Sequence, residues 1–351
     1  MNLLLLNIIL ILFDWIILQA INPKKARKYF CIIAFIQLFV FHAFLDPYKM
    51  YDLPGYLETY ESFRKNSLMY SLNTGFLGVK MEPGWIVMCK LLTLISSDPF
   101  TTIYFSSIVI VGLYCLIIYR FSAKVWLSVY LFLCTTFGQS LFVIRQHMAI
   151  AICLASVPFI INRIFWKFAL LILVATSIHF TAIVFVPLYF LYSLRLTKKF
   201  YILFLLFAVI GWSGASAIFM WFFEKSWYVS YLDAEGSNLT NFSIMTISLL
   251  LYLFVSKWNI KAIRGAEKCF FLMLCLGVIL SLVGAGFSPT NRLIKYYYIS
   301  MIFIIPYSLN KISEEAMRVV ATFIIMVAFM MLFYSGSNTE YLKDYTLMFL
   351  N

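Results

Sequence analysis

Residues 2–21 read NLLLLNIILILFDWIILQAI, an almost unbroken apolar run that is followed by the basic cluster KKARK at residues 24–28. A helix that crosses the hydrocarbon layer of a membrane needs about 20 predominantly apolar residues. The positive region of a signal peptide precedes its apolar run, whereas here the charges follow it. We therefore interpret residues 2–21 as a first membrane-spanning helix that the protein retains.

The composition extends this interpretation to the whole chain. Hydrophobic residues make up 63% of the 351 residues and charged residues 12%, with a mean hydropathy of +0.92. A soluble globular domain has roughly 45–50% apolar and about 25% charged residues. The chain is therefore predicted to be a single all-α integral membrane domain, residues 1–351. It contains neither GxGxxG nor GxxxxGK[ST], so a cytosolic nucleotide-binding site is not indicated.

The length criterion predicts about 12 spanning helices in this polytopic fold. They are residues 2–21, 29–45, 100–119, 124–138, 141–161, 167–179, 180–194, 199–221, 242–256, 267–287, 294–310 and 318–335. The pair 167–179 and 180–194 is equally compatible with one long broken helix.

The net charge of +12 comes from basic residues that lie in short clusters between the apolar runs. Such clusters mark cytoplasmic loops, so they indicate orientation and not binding to nucleic acid. The clusters are residues 24–28, 120–124, 163–167, 195–199, 257–268 and 311–318.

Placing all six clusters in the cytoplasm has structural consequences. Residues 83–96 must then form a short re-entrant or interfacial helix, and such a helix implies a cavity beside it. Both termini lie outside, and the segments 46–81 and 222–241 become outer-face loops.

The stretch YDLPGYLETY, residues 51–60, places an acid and two tyrosines on one face of a predicted helix. Asp52, Tyr56 and Tyr60 follow one another at intervals of four residues. Either Asp52 is a simple N-cap with packed rings beside it, or the three side chains form a sugar-binding wall.

Glu82 comes directly before Pro83 and Gly84, and proline suits the first position of a helix. Its carboxylate should lie near the positive end of the helix dipole. It either caps that dipole or is held at the lip of the predicted cavity for a functional reason.

Two ionisable residues fall within predicted spans, where charged groups are costly and commonly functional. Arg145, followed by Gln146, either extends to the outer head groups or contacts a phosphate, whose geometry its planar guanidinium matches. His179 is either a hydrogen-bonded core histidine or a proton-transfer group.

Arg292 and Tyr296 lie four residues apart in the predicted outer turn FSPTNRLIKYYYI, residues 287–299. They share a helix face. Arg292 is either a loop arginine or a second cation for an anionic head group.

Together these positions supply two carboxylates, two arginines and a histidine at one predicted depth on the outer side. Two arginines suit a pyrophosphate, and a carboxylate or an imidazole suits proton removal from a sugar hydroxyl. This combination favours glycosyl transfer from a lipid-pyrophosphate donor. No metal-ligand motif is present, and we predict no cofactor.

The order of the motifs resembles the EpsG family of Wzy-type polysaccharide polymerases. It runs D-x₃-Y-x₃-Y, then EPG with a following aromatic residue, RQ, a histidine within a helix, and R-x₃-Y. The resemblance covers residues 46–300. The matching positions are Asp52, Tyr56, Tyr60, Glu82, Pro83, Gly84, Trp85, Arg145, Gln146, His179, Arg292 and Tyr296.

The resemblance implies an enzyme of the bacterial plasma membrane, and a GT-C-like helical bundle is compatible with it. Such enzymes join oligosaccharide repeat units, carried on undecaprenyl pyrophosphate, at the outer face. The implied partners are the lipid-linked donor and acceptor and membrane lipid, with a flippase and a chain-length regulator of the same pathway as candidates.

The chemistry of these side chains suggests a division by role. The candidate catalytic residues are Glu82, Asp52 and His179. The candidate substrate-binding residues are Arg145, Gln146, Arg292, Tyr56, Tyr60, Trp85 and Tyr296.

Three alternatives stay open. A flippase for the same lipid-linked sugars would distribute charges through internal repeats. A transferase such as an O-antigen ligase would use the same donor with another acceptor and a larger outer loop. A purely structural subunit would not explain Arg145 and His179 at membrane depth.

Overall fold

The computed structural model describes residues 3–50, 52–76, 78–197, 199–200, 202–204, 206, 209, 239–283, 290–337, 342 and 345–350. Within these ranges the regular structure is helical, with two isolated β-bridges and no strand. The predicted all-α polytopic class is therefore confirmed. The predicted outer loop 222–241 lies almost entirely outside the described residues.

The helices follow the apolar runs of the sequence. They begin with α1 (Leu3–Ile21), α2 (Pro23–Ala43), α3 (Leu53–Lys65), α4 (Leu68–Thr74), α5 (Pro83–Thr93), α6 (Phe100–Phe121), α7 (Val125–Phe132), α8 (Gly138–Ser140) and α9 (Ile144–Ala155). They continue with α10 (Val157–Ile161), α11 (Phe165–Ile178), α12 (Val186–Leu191), α13 (Leu239–Val255), α14 (Gly265–Val283), α15 (Thr290–Tyr298), α16 (Met301–Asn310) and α17 (Glu315–Ser337).

Six helical stretches of the described chain are long and apolar enough to cross a membrane. They are Leu3–Ile21, Pro23–Ala43, Phe100–Phe121, Ile144–Ile161, Gly265–Leu282 and Glu315–Gly336. The predicted spans 167–179, 180–194 and 242–256 correspond to shorter apolar helices. Most of the predicted span 199–221 lies outside the described residues.

The predicted spans 124–138 and 294–310 are among those that are broken in the structure. The span 124–138 forms α7, a π-helical turn at Leu133–Phe137, and α8. The span 294–310 begins earlier than predicted, at Thr290, and is divided between α15 and α16. A π-helical turn has the same apolar composition as its neighbours, so the hydropathy of the sequence does not reveal it.

Contacts divide the chain into two compact units. The first unit comprises Met1–Ala155, Leu170–Ile183 and Val320–Asn351, and the second comprises Ser156–Ala169 and Val184–Val319. The division does not test whether residues 1–351 form a single membrane domain or a GT-C-like bundle, so both stay predictions.

In the first unit, α6 packs against α2 and α9. Its 22 residues extend over about 33 Å. The Arg27 guanidinium donates hydrogen bonds to the carbonyl oxygens of Tyr119, at 3.2 Å from Nε, and of Ser122, at 3.0 Å. These carbonyls belong to the C-terminal end of α6, where a positive charge is favourable. The basic clusters 24–28 and 120–124 therefore lie at one end of this unit.

The short helices α3 and α5 are fastened together. The Tyr60 hydroxyl donates to the Ser96 carbonyl at 2.7 Å, beyond the end of α5. The Lys90 ammonium donates to the Phe63 and Asn66 carbonyls at the end of α3, each at 2.8 Å. Because α5 has 11 residues, it spans only about 16 Å and is too short to cross a membrane. Its predicted re-entrant or interfacial position stays a prediction.

A segment near the C-terminus is hydrogen-bonded to the C-terminal end of α2 and to the residues that follow it. The Tyr345 hydroxyl donates to the Phe41 carbonyl. The Asp46 N–H donates to the Thr346 carbonyl, and the Met348 N–H donates to the Phe44 carbonyl, both at 2.9 Å. We call residues 345–348 the C-terminal strap.

In the second unit, α14 packs against α13, α15 and α16. The rings of Phe270 and Phe303 stack with centroids 3.9 Å apart. At one end, the Lys268 ammonium donates to the Tyr192 and Leu194 carbonyls at 2.7 and 2.8 Å. Lys311 Nζ lies 2.8 Å from Glu267 Oε1.

The basic clusters of the second unit thus lie together as well, because Arg163 also donates to a carbonyl of this region, that of Tyr189. This agrees with the interpretation of the clusters as signals for one membrane face. The face itself and the outside location of the termini stay predictions.

We expect Arg27→Gln to lower the stability of the protein, because the end of α6 would lose its charge-assisted hydrogen bonds. The expected loss is about 1–2 kcal/mol, measured as a lower thermal unfolding midpoint in detergent. The control is Lys24→Gln, an exposed position of the same cluster. Equal midpoints for both variants would contradict the proposed capping role of Arg27.

Candidate functional site

A buried carboxylate connects three distant parts of the first unit. Glu82 is 5% exposed. Its Oε2 accepts a hydrogen bond from Nη1 of Arg145 at 2.6 Å, and its Oε1 lies 3.2 Å from Nδ1 of His179. The Phe180 N–H also points to Oε1, at 3.4 Å. We call Glu82, Arg145 and His179 the Glu82 cluster.

The geometry distinguishes between the two interpretations of Glu82. The residue occupies the N-cap position of α5, as Pro83 predicts, but its side chain makes no capping hydrogen bond. The carboxylate is directed to side chains of other helices instead. Dipole capping alone therefore does not account for its position.

Gly84 allows α5 to approach the end of α11 closely. A Cβ atom at this position would lie 2.7 Å from the carbonyl carbon of Ser177, which real Cβ contacts do not show. Ser177 stands two residues before His179, so this approach brings the carboxylate to the imidazole. The EPG motif thus combines a charge, a helix start and a close helix contact.

His179 lies at a break in the helical structure. It follows α11 directly and precedes a 3₁₀-helix, Phe180–Phe185. Residues 167–194 were compatible with two spans or with one broken helix. The structure shows α-helix up to Ile178, a 3₁₀-helix from Phe180 and α-helix again from Val186, so the helical structure is interrupted at His179. Because an ionised carboxylate only accepts hydrogen bonds, Nδ1 of His179 is the donor to Glu82, and Nε2 is the basic atom of the neutral ring.

Arg145 lies in the first turn of α9, with 24% of its side chain exposed. Its guanidinium carbon is 5.8 Å from the centre of the Tyr56 ring. Tyr56 in turn contacts Trp85 edge to face, with centroids 5.4 Å apart. The arginine therefore joins the buried carboxylate to an aromatic wall.

Opposing effects set the charge of Glu82, which lies outside the six spanning helices. Burial alone would raise the pKa of its carboxyl, but the hydrogen bond from His179 and the charge of Arg145 outweigh burial and lower the pKa to about 2. Glu82 is therefore ionised at neutral pH and is a poor proton acceptor there. Burial raises the pKa of the Tyr56 phenol, which stays neutral.

Comparison with family models identifies the chain. A model of the EpsG family matches residues 28–347, nearly the whole chain. This chain belongs to the EpsG family. Members of that family are Wzy-like polysaccharide polymerases, which assigns the chain to polysaccharide polymerisation in general. Comparisons with curated proteins and with solved structures give no match.

Other predicted site residues of this EpsG-family protein also belong to the first unit. Asp52 is half-buried at the N-cap position of α3, without a capping hydrogen bond from its side chain. Tyr56 and Tyr60 share the buried face of α3, as their spacing predicts. Tyr60 is fully buried and its hydroxyl is bound to the Ser96 carbonyl, so this contact is a structural one; its predicted role in substrate binding stays a prediction. Gln146 is buried beside Arg145.

Arg292 and Tyr296 belong to the second unit. Both lie on α15, one turn apart, with Arg292 half-buried and Tyr296 fully buried. The shared helix face agrees with the spacing. The joint clamp of Arg145 and Arg292 stays a prediction.

Two groups that contact the EPG motif were not predicted from the sequence. Neither Ser177 nor the Phe180 N–H was predicted to contact the residues around Glu82. The one feature of the sequence that could have indicated them is that both residues lie within two positions of His179. Among the described residues, no group of three or more His, Cys, Asp or Glu side chains could hold a metal ion.

We expect Gly84→Ala to separate α5 from α11 and to disrupt the Glu82 cluster. The added Cβ meets the backbone of Ser177 as well as its hydroxyl, and the backbone cannot rotate away, so the expected cost is about 1–3 kcal/mol in unfolding free energy, with reduced polymer formation. Gly55→Ala is the matched control, because nothing lies within 4 Å of a Cβ at that helical position. A Gly84→Ala protein with wild-type stability and activity would disprove the close-contact role.

We expect Glu82 to make the stability of the protein depend on pH. Its pKa in the folded protein, about 2, lies below the ordinary value of 4.5. Ionised Glu82 therefore stabilises the fold at pH values above about 4.5, and this contribution is lost as the pH falls towards 2. Unfolding midpoints measured from pH 7 to pH 3 should fall more steeply for the wild type than for Glu82→Gln. Parallel curves would show that the carboxylate has no such role.

Proposed function

We propose that this protein joins oligosaccharide repeat units that are carried on undecaprenyl pyrophosphate. The reaction is a glycosyl transfer at the outer face of the bacterial plasma membrane. The donor chain moves from its lipid carrier to a hydroxyl of the next lipid-linked unit. Family membership supports polysaccharide polymerisation, and the Glu82 cluster supports this particular chemistry.

The observation that carries the proposal is the contact of one buried carboxylate with both an arginine and a histidine. Transfer from a lipid pyrophosphate requires a cation for the leaving group and a base for the attacking hydroxyl. Arg145 and His179 are residues of these two types. Glu82 Oε2 and Oε1 hold them 2.6 and 3.2 Å away, respectively.

In the proposed mechanism, the acceptor hydroxyl oxygen attacks the anomeric carbon of the donor sugar. Its proton passes to Nε2 of His179. The bond between the anomeric carbon and the pyrophosphate oxygen breaks, and the pyrophosphate leaves with the bonding electrons. Arg145 stabilises the charge that develops on it.

Glu82 acts in this mechanism as a positioning residue. Its low pKa makes it a weaker base than an imidazole at neutral pH, so it orients His179 and Arg145 and favours the protonated imidazole after attack. This is the role of a carboxylate behind a catalytic histidine.

The remaining predicted residues serve substrate binding in this proposal. Tyr56 lines the path of the sugars, with the fully buried Trp85 packed against its ring, and Asp52 hydrogen-bonds a sugar hydroxyl. Gln146 supports the position of Arg145. The assignment of Arg292 and Tyr296 to an anionic head group stays a prediction.

The outer location rests on charge. The basic clusters lie at one end of each unit, and the positive-inside rule assigns that end to the cytoplasm. In the first unit, Arg27 marks the C-terminal end of α6, whereas Ser96, next to its N-terminal end, contacts Tyr60. The Glu82 cluster, which includes the N-cap residue of the neighbouring α5, is proposed to face the cell exterior.

We expect Arg145→Lys to reduce polymer formation by about 100-fold, because lysine cannot reproduce the planar contact with a phosphate. The measurement is ladder formation from lipid-linked repeat units with the purified protein. Arg64→Lys is the matched control, since Arg64 pairs with Glu61 at 2.8 Å on the exposed side of α3.

Long chains at wild-type rate from the Arg145→Lys protein would remove Arg145 from the mechanism. The same assay separates the alternatives. A flippase would leave the lipid-linked units chemically unchanged, and a ligase-like transferase would not extend one unit with another.

A further inference from the structure

The second unit contains a cavity whose walls carry four basic side chains. They are Arg195, Lys261, Arg264 and Lys268, and Leu196 and Ile263 add apolar surface. The volume is about 490 Å³. The cavity shares no residue with the Glu82 cluster, and the proposed polymerase mechanism makes no use of it.

The chain holds these cations around the cavity through backbone carbonyls. Lys268 in α14 donates to the carbonyls of Tyr192 and Leu194, which follow α12. Arg264 donates to the carbonyls of Lys261 and Ile263 in its own loop. Gly265, at a φ of +56°, allows the sharp turn from this loop into α14. Two basic clusters that are separate in the sequence are therefore fixed to one cavity.

Among the described residues that line the cavity, none is a carboxylate that would balance this positive charge. The acidic residue in the first turn of α14, Glu267, is engaged elsewhere. Its Oε1 lies 2.8 Å from Lys311 Nζ and 2.6 Å from the Tyr252 hydroxyl. The N-terminal end of α14, a helix of 19 residues, adds the positive end of its dipole.

We propose that this cavity binds a phosphate group. Guanidinium and ammonium groups are the side chains that bind phosphate, arginine through its planar fork and lysine as a point charge. A bound anion would remove the mutual repulsion of four cations. The volume exceeds that of the phosphate itself, so the group enters as part of a larger molecule.

Two sources of phosphate fit this chemistry, the head group of an anionic phospholipid and a soluble phosphorylated molecule. Basic pockets between helices on the cytoplasmic side of membrane proteins bind anionic head groups. The same cluster marks this end of the unit as cytoplasmic by the positive-inside rule.

The test uses the full-length protein in a neutral detergent and its thermal unfolding midpoint. The probes are dioctanoyl phosphatidylglycerol, dioctanoyl phosphatidylcholine and inorganic phosphate, each compared with sodium chloride at equal ionic strength. Because a ligand that binds the folded state raises the midpoint, we expect a saturable rise with phosphatidylglycerol or with phosphate. Phosphatidylcholine, whose head group carries no net charge, should have a smaller effect.

The variant is Lys261→Gln/Arg264→Gln, which neutralises two exposed lining residues. We expect its half-saturating concentration to rise about tenfold or more. The matched control is Lys24→Gln/Lys25→Gln, which removes equal charge at exposed positions of another basic cluster and should behave as the wild type. If the double variant has a lower midpoint without any probe, Arg195→Gln, another exposed lining residue, replaces it.

Each outcome decides the question. A response to phosphatidylglycerol alone assigns the site to a lipid head group, and an equal or competing response to inorganic phosphate assigns it to a soluble ligand. Both would support the proposal. Midpoints that follow only ionic strength, or a variant that responds as the wild type does, would overturn it without affecting the polymerase proposal.

Discussion

The first unit depends on the burial of one ionised carboxylate. A carboxylate removed from water is stable only when hydrogen bonds and opposite charge replace its hydration. Glu82 meets this condition through Arg145 of α9 and through the imidazole and N–H of residues 179 and 180. The helix that carries Glu82, the start of α9 and the break after α11 are thereby fixed relative to one another. The same interaction that stabilises this arrangement also creates the candidate reaction site.

The sequence indicated the three members of the Glu82 cluster but not their contacts, and their roles in a reaction stay predictions. Glu82, Arg145 and His179 stand out because charged or titratable residues are costly in an apolar chain. Their mutual contacts could not be predicted, because 63 and 97 residues separate the partners. The uniform spans α1, α2 and α6 followed from composition, whereas the π-helical turn at Leu133–Phe137 did not, because it leaves no mark on hydropathy. The tight contact of Gly84 with Ser177 required knowledge of which helices meet.

The chain has 27 basic and 15 acidic residues, so one-to-one pairing would leave at least 12 cations without a carboxylate. The structure shows another partner for them, the carbonyl groups at helix ends. Arg27 binds carbonyls at the end of α6, Lys90 those at the end of α3, and Lys268 those that follow α12. These carbonyls have no partner within their own helix and lie at the negative end of its dipole. Basic side chains thus also satisfy carbonyl groups at helix ends that have no hydrogen-bond partner within the helix.

The C-terminal strap has a consequence for biosynthesis. The hydroxyl of Tyr345 meets a carbonyl 304 positions earlier in the chain, and residues of the second unit lie between them. A ribosome therefore releases the whole second unit before the last contacts of the first unit can form. The first unit therefore stays incompletely folded in the bilayer while later helices insert. Loop-closure entropy makes such distant contacts slow to form, so the docking of the strap belongs to the end of folding.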